Sequence, residues 1–423
     1  VLYQFPYPDV EPLEIPDANL IGIYQAAQTK PGGTESEIIS RGIANPIGAP
    51  RIRDAVAADQ RVLILCDDVT RETPAYLILP FILEELHAAG VSDENIHFVM
   101  ALGTHRDMTA QEIEDKLGPD IADRYPVENH RWNDEDSLVY LKTTPSGLEI
   151  HINKKMHWAD FVIGLGIIFP HAVAGFSGGG KIVVPGICGE ATSGDMHWLM
   201  YGIPPVEHYG SVDNPVRRII DEVAMEAGLN YVVDCVLNSD GEVVGLVSGH
   251  PLQAFRAGCV ISRRVHSVTV PGQADIVIFD SYRTDLEYWQ AIKAITPAGI
   301  VMKDGGVAIQ VAECPEGISR AHPEVLELGY RPQIVVEELL RQRIVNKSIA
   351  AHMIQASEVI VDRGRGFLIS PNITAQEKAR LGFIHADTPQ QALDRALEMK
   401  GPHASIIVLR QAGDLLPIIT DKD

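Results

Sequence analysis

The sequence predicts an α/β protein of two domains with largely parallel sheets. Short β-branched runs alternate with longer amphipathic segments through most of the chain, the pattern of strand–helix–strand units. At 423 residues the chain exceeds one ordinary hydrophobic core. A fresh start is also visible: Pro271-Gly272 precedes Ala274-Asp275-Ile276-Val277-Ile278, a run of the same flavour as Ala159-Asp160-Phe161-Val162-Ile163. These place an N-terminal α/β domain over residues 1–270 and a C-terminal α/β domain over 271–404. Residues 405–423, with their strand-like run, are able to complete either domain.

In chain order, residues 62–66, 96–101, 161–164, 276–279, 359–361 and 406–409 read as buried strands, being short, apolar and β-branched. Thr73-Pro74 opens a helix that runs to Gly90 with Pro80 inside it, and Asn214-Pro215 opens another that ends at Gly228, because proline suits the first helical turn. Thr109-Ala110-Gln111-Glu112 and Thr374-Ala375-Gln376-Glu377 have the capping-box pattern. A hairpin joins 231–237 to 242–247 across Asn238-Ser239-Asp240-Gly241, and Lys303-Asp304-Gly305-Gly306 reads as a tight turn.

Acidic residues outnumber basic ones by 57 to 35, a net charge of −22, which disfavours nucleic acid and anionic membrane as partners. Five scattered cysteines without a Cys-x-x-Cys pair argue against a disulfide scaffold or structural zinc and for a reducing compartment. No apolar run spans a bilayer and no signal peptide is visible at the start of the sequence, so the expectation is a cytoplasmic protein.

In a parallel sheet, ligands gather beyond the carboxyl ends of the strands. Three polar clusters fall there: Cys66-Asp67-Asp68-Val69-Thr70-Arg71, Gly103-Thr104-His105-Arg106, and Pro170-His171 with Ala174-Gly175-Phe176-Ser177-Gly178-Gly179-Gly180-Lys181. Singly, Asp68 or Thr70 reads as a helix cap and His105 as a loop residue; together the three clusters predict one cleft. Gly175 to Lys181 matches a phosphate loop, Gly-x-x-x-x-Gly-Lys, but Ile182 stands where Ser or Thr must ligate magnesium and no helix pattern follows. That disfavours a nucleotide triphosphatase. His105, His171 and His197 have the residue types of a three-histidine zinc site with an open position for water, so a zinc-dependent hydrolase stands as an alternative. Farther on, Tyr288-Trp289-Gln290-Ala291-Ile292-Lys293 puts Gln290 and Lys293 three apart on one helical face, where they suit a carboxylate.

This arrangement resembles the nickel-dependent lactate racemase family. The matching elements are Asp68-Val69-Thr70-Arg71, Gly103-Thr104-His105-Arg106, Pro170-His171, the stretch from Ala174 to Lys181, Pro185-Gly186, His197, Asn214-Pro215-Val216-Arg217, and Tyr288 to Lys293, in family order. The resemblance implies an active-site cleft between the two α/β domains, with the N-terminal domain carrying the cofactor and the C-terminal domain closing over the substrate. It also implies a 2-hydroxy acid racemase or epimerase, with lactate the default substrate, working by reversible hydride transfer through a 2-keto acid. It implies a nickel-pincer nucleotide (pyridinium-3-thioamide-5-thiocarboxylic acid mononucleotide with nickel), made by separate cofactor-synthesis proteins and tethered to Lys181, with His197 on the metal. By the same resemblance His105 and His171 are the acid–base pair. Arg71, Gln290, Lys293 and Tyr288 face the substrate, and Asp68, Thr70, Ser177, Gly178, Gly179 and Gly180 face the nucleotide.

Overall fold

A computed structural model of the chain describes residues 1–420 and separates into two compact units. The larger holds Gln28–Ile203 and His208–Val265; the smaller holds Val1–Ala27, Pro204–Glu207 and the chain from His266 onward.

The larger unit is built on a six-stranded sheet in the order Val243–Gly249, Leu229–Leu237, Phe161–Ile167, Val62–Asp67, Ile96–Ala101, Val127–Asn129. All neighbours are parallel except the hairpin pair 229–237 and 243–249, which is the hairpin read from the sequence. Strand Val62–Asp67 is buried along its whole length, as a central parallel strand covered on both faces must be. Helix Ala75–Ala88 runs through Pro80, and helix Pro215–Glu226 starts where expected, with the Asn214 side chain accepting the Arg217 N–H at 2.8 Å. The capping boxes at Thr109 and Thr374 both form.

The smaller unit carries a five-stranded, all-parallel sheet in the order Arg365–Ile369, Met302–Val311, Ala274–Asp280, Ile406–Leu409, Leu20–Tyr24. Its edge strand comes from the first 27 residues, which sequence reading had placed in the other domain. Pairing of Leu20–Tyr24 with Ile406–Leu409 is a contact across almost the whole chain, and nothing local encodes it.

Two expected elements differ. Residues 359–361 do not form a strand; Glu358–Asp362 is a π-helical turn continuing helix Lys347–Ser357, and the strand is Arg365–Ile369. Three β-branched residues suit either state, and the Asn346 cap, whose side chain accepts the Ile349 N–H, had already committed the segment to helix. Lys303 to Gly306 is not a turn but the start of strand Met302–Val311, where the register slips against Ala274–Asp280 and Gly305 takes φ +73°. Among the described residues no helix is long and apolar enough to cross a membrane.

Candidate active site

The sheet order of the larger unit sets three neighbouring strands, 96–101, 62–67 and 161–167, side by side, so the loops leaving their carboxyl ends meet. The first polar cluster is held by its own atoms. Asp68 Oδ1 accepts the Thr70 N–H at 3.1 Å and the Thr70 hydroxyl at 2.6 Å, and that hydroxyl accepts Arg71 Nη1 at 2.7 Å. Lys116, buried, closes the loop from below: its ammonium pairs with Asp67 Oδ1 at 2.9 Å and donates to the carbonyls of Asp68 at 3.2 Å and Arg71 at 2.7 Å. The Arg71 guanidinium lies 5.8 Å from the Phe169 ring centre. Asp68 and Thr70, expected at a nucleotide, therefore shape this loop, and Asp68 has a second task at His105.

The glycine segment also differs from the expectation. Pro170–His171 pairs antiparallel with Gly175–Phe176, and Gly179–Ile182 is a single 3₁₀ turn with no α-helix following it. The phosphate-loop reading fails on that geometry. A side chain at Gly179 would lie 2.8 Å from the Phe255 ring, and one at Gly180 2.8 Å from Ala224. These glycines face protein, so close packing explains them before any ligand does. The Ser177 hydroxyl donates to the Ile167 carbonyl at 2.6 Å and accepts the Phe169 N–H at 2.9 Å, entirely buried within the loop. Behind the loop, fully buried Arg217 donates to the carbonyls of Ala174 (3.4 Å), Gly178 (3.3 Å) and Phe176, and stacks on Phe255 at 4.1 Å. Asp234 accepts the Gly179 N–H at 2.9 Å from the next strand, its carboxyl pushed up to about 7 by burial. Lys116, Arg217 and Asp234 were missed as loop-setting residues; Arg217 stood in a noted motif, but no sequence signal links the other two to this loop.

Lys181 emerges from this turn, partly buried. Burial, then the Arg71 and Arg217 charges, lower its ammonium to about 7, only partly opposed by Asp68 and Asp67. A lysine so placed is in good part a neutral amine near neutral pH, the form that attacks an acyl carbon.

Each of the three histidines has a different outer partner. His105 Nδ1 lies 2.5 Å from Asp68 Oδ2, and Trp132 Nε1 holds the His105 carbonyl at 2.8 Å. Burial works against an ionised Asp68, yet His105, Arg71 and Thr70 hold it well below the usual carboxylate range. His171 Nδ1 instead accepts the N–H groups of Val173 at 3.1 Å and Ala174 at 3.2 Å. His197 Nδ1 donates to the Ser193 carbonyl one turn back on its helix at 2.6 Å, and burial lowers that ring to about 4. Kept neutral with Nδ1 protonated, His197 presents an Nε2 lone pair, the form in which imidazole binds metal. Among the described residues, no three His, Cys, Asp or Glu side chains converge to hold a metal ion. The three-histidine zinc site is thereby contradicted: a metal on His197 must bring its remaining donors with it, which suits a metal carried by an organic cofactor.

In the smaller unit Tyr288 and Gln290 lie in helix Tyr288–Ala291 and Lys293 in the turn Ile292–Ala294. Tyr288 is fully buried, donates its hydroxyl to Gln310 Oε1 at 2.8 Å and packs its ring edge-on against Phe383, so it is a core residue rather than a substrate wall. Trp289 is stacked between His352 and His322.

A family model described as the lactate racemase N-terminal domain matches residues 9–206, and one described as the lactate racemase C-terminal domain matches 270–414. The chain is 32% identical over 360 residues to a lactate racemase of Thermoanaerobacterium thermosaccharolyticum, covering 78% of this chain and 84% of that protein. It is 31% identical over 309 residues to a lactate racemase of Lactiplantibacillus plantarum, covering 72% of each. The structure is similar to that of the lactate racemase apoprotein from T. thermosaccharolyticum, with a TM-score of 0.88 at 26% identity over 99% of this chain and 100% of the other. A crystal structure of a Thermotoga maritima protein shares the fold, with a TM-score of 0.72 at 23% identity over 91% of this chain and 98% of that one.

Proposed function

The chain belongs to the lactate racemase family, and from that premise we propose that it racemises a 2-hydroxy acid, lactate by default, with a nickel-pincer nucleotide tethered to Lys181. Membership makes it an isomerase acting on a small molecule. The observation that carries the cofactor proposal is the pairing of an amine lowered to about 7 at Lys181 with a neutral, Nε2-presenting His197 that has no companion ligands among the described residues. Lys181 would form the thioamide tether and His197 would supply the one protein ligand to nickel. When bound, the group supplies a reversible hydride acceptor.

The chain's own residues supply the rest. Arg71, anchored on Thr70 and Phe169, offers a guanidinium to the substrate carboxylate. His105 and His171 move the hydroxyl proton as the carbonyl forms and is lost, a contribution of about 10²–10⁴-fold for each positioned group. Gln290 and Lys293 are assigned to substrate oxygens on family resemblance. The five cysteines are all free and buried, which suits a reducing compartment, so we assign the protein to the cytoplasm, beside the proteins that make its cofactor.

The test is co-production with the cofactor-making proteins, followed by intact mass, metal analysis and lactate racemisation. The expected result is a mass increment on Lys181, one nickel per chain and interconversion of the two lactates. An unmodified Lys181 without nickel sinks the proposal.

A further inference from the structure

We propose that the two acid–base histidines are pre-set in opposite roles, with Asp68 as the positioning residue that makes His105 a proton acceptor while the turn after His171 makes that ring a hydrogen-bond donor. The inference rests on the reading that these rings serve a 2-hydroxy acid, but the settings are properties of the protein alone.

A neutral imidazole carries one proton, and whatever bonds one nitrogen decides the state of the other. An ionised carboxylate only accepts, so His105 Nδ1, 2.5 Å from Asp68 Oδ2, must carry a proton, and in the neutral ring Nε2 then holds the lone pair. Asp68 has no freedom to turn away: Thr70 holds its other oxygen twice and Lys116 holds its carbonyl. At His171 the logic is reversed. Two backbone N–H groups point at Nδ1, so Nδ1 carries the lone pair and Nε2 the proton. That turn is itself fixed by pairing of Pro170–His171 with Gly175–Phe176, by the bond between His208 Nε2 and the Ala172 carbonyl at 2.5 Å, and by Arg217 on the Ala174 carbonyl.

The consequence is kinetic. For the enantiomer whose hydroxyl meets His105, the O–H proton would pass to Nε2 while the C–H electron pair leaves as a hydride, for which the bound cofactor would be the acceptor. The C=O bond forms, and the new imidazolium is paired with Asp68. The mirror-image substrate, whose hydroxyl meets His171, finds a donor; its oxidation requires that ring to shift its proton to Nδ1 and give up two hydrogen bonds. The overall equilibrium between enantiomers is untouched, but the two first half-reactions are unequal.

The test has two arms. In apoprotein carrying ¹⁵N-histidine, imidazole nitrogen shifts should show His105 protonated at Nδ1 and His171 at Nε2. Asp68→Asn should alter the His105 pattern, and Asp68→Glu should restore it. In loaded enzyme, keto acid acid-quenched within a single turnover should form about tenfold or more faster from one pure enantiomer than from the other, one pK unit's worth of mismatch. Asp68→Asn should slow the faster enantiomer most, which a merely structural role would not single out. The same tautomer on both rings, or equal keto-acid bursts, overturns the proposal. Opposite tautomers with no keto acid from either enantiomer leave the settings standing and count against the racemase reading instead.

Discussion

Two central strands, one in each unit, end alike in sequence and unlike in chemistry. Val62–Asp67 and Ala274–Asp280 are both buried parallel strands closing on aspartate, with a further polar residue next in line. Beyond the first, Asp68 meets His105, Arg71 and Thr70 and stays ionised against the cost of burial. In the second, Asp280 accepts the N–H groups of Gln411 (3.0 Å) and Tyr282 (3.3 Å) and the Tyr3 hydroxyl (3.4 Å), and burial, opposed by these bonds and by the Arg410 charge, pushes it up to about 7. A carboxylate at a strand's carboxyl end stays ionised only where the groups converging on it outweigh the cost of burial; elsewhere the same signal is a piece of core.

The largest expected effects lie where the larger unit concentrates its charge. Lys181→Ala should abolish both the mass increment and racemisation. In the wild-type apoprotein, attachment should quicken as pH rises through about 7, because the protonated amine that dominates at lower pH does not attack. Tethering that is indifferent to pH would break the contrast at its strongest point. His197→Ala should keep the increment on Lys181 but lose nickel and turnover, separating tether from metal.

Next in size is Lys116→Met. Lys116 and Asp67 form a buried ion pair, and removing one partner strands the other at a cost of about 3–5 kcal/mol. Denaturant unfolding should show that loss in the transition of the larger unit. Racemisation should fall as well, because the carbonyls of Asp68 and Arg71 lose their common donor. Unchanged stability would mean that the pair is not what holds this strand end.

These residues also mark how far the sequence is legible. Strands at 62–67, 96–101 and 406–409, the two capping boxes and the three polar strand ends were readable because each signal lies within a few consecutive residues. The edge strand Leu20–Tyr24 was not, since its partner is nearly four hundred residues away. His105, His171 and His197 were found as residue types, but their roles come from Asp68, the Val173 and Ala174 N–H groups and the Ser193 carbonyl, and only folding shows which atom faces which ring. The glycine run was legible as a constraint and not as its cause: Phe255 and Ala224, which press against it, follow it by dozens of residues. Tyr288 shows the same limit from the other side, a polar aromatic beside the expected substrate residues that packs inward on Gln310 and Phe383.

The smallest expected effect is Asp280→Asn, which tests the quiet half of the comparison. An amide preserves the carbonyl oxygen that accepts from Gln411 and Tyr282, and its NH₂ faces a hydroxyl able to accept. The folded chain keeps the Asp280 proton up to about pH 7, whereas the unfolded chain sheds it near pH 4. Between those values the unfolded state binds fewer protons, so wild-type stability declines as pH rises and stays low above about 7. Asparagine has no proton to lose. The variant should therefore gain on the wild type through that window, by up to a few kcal/mol, and the gain should vanish below pH 4. Racemisation should stay at the wild-type level. A loss of turnover like that of Asp68→Asn would instead mean that Asp280 is a working carboxylate, and that ionisation in the resting fold is no requirement for becoming one.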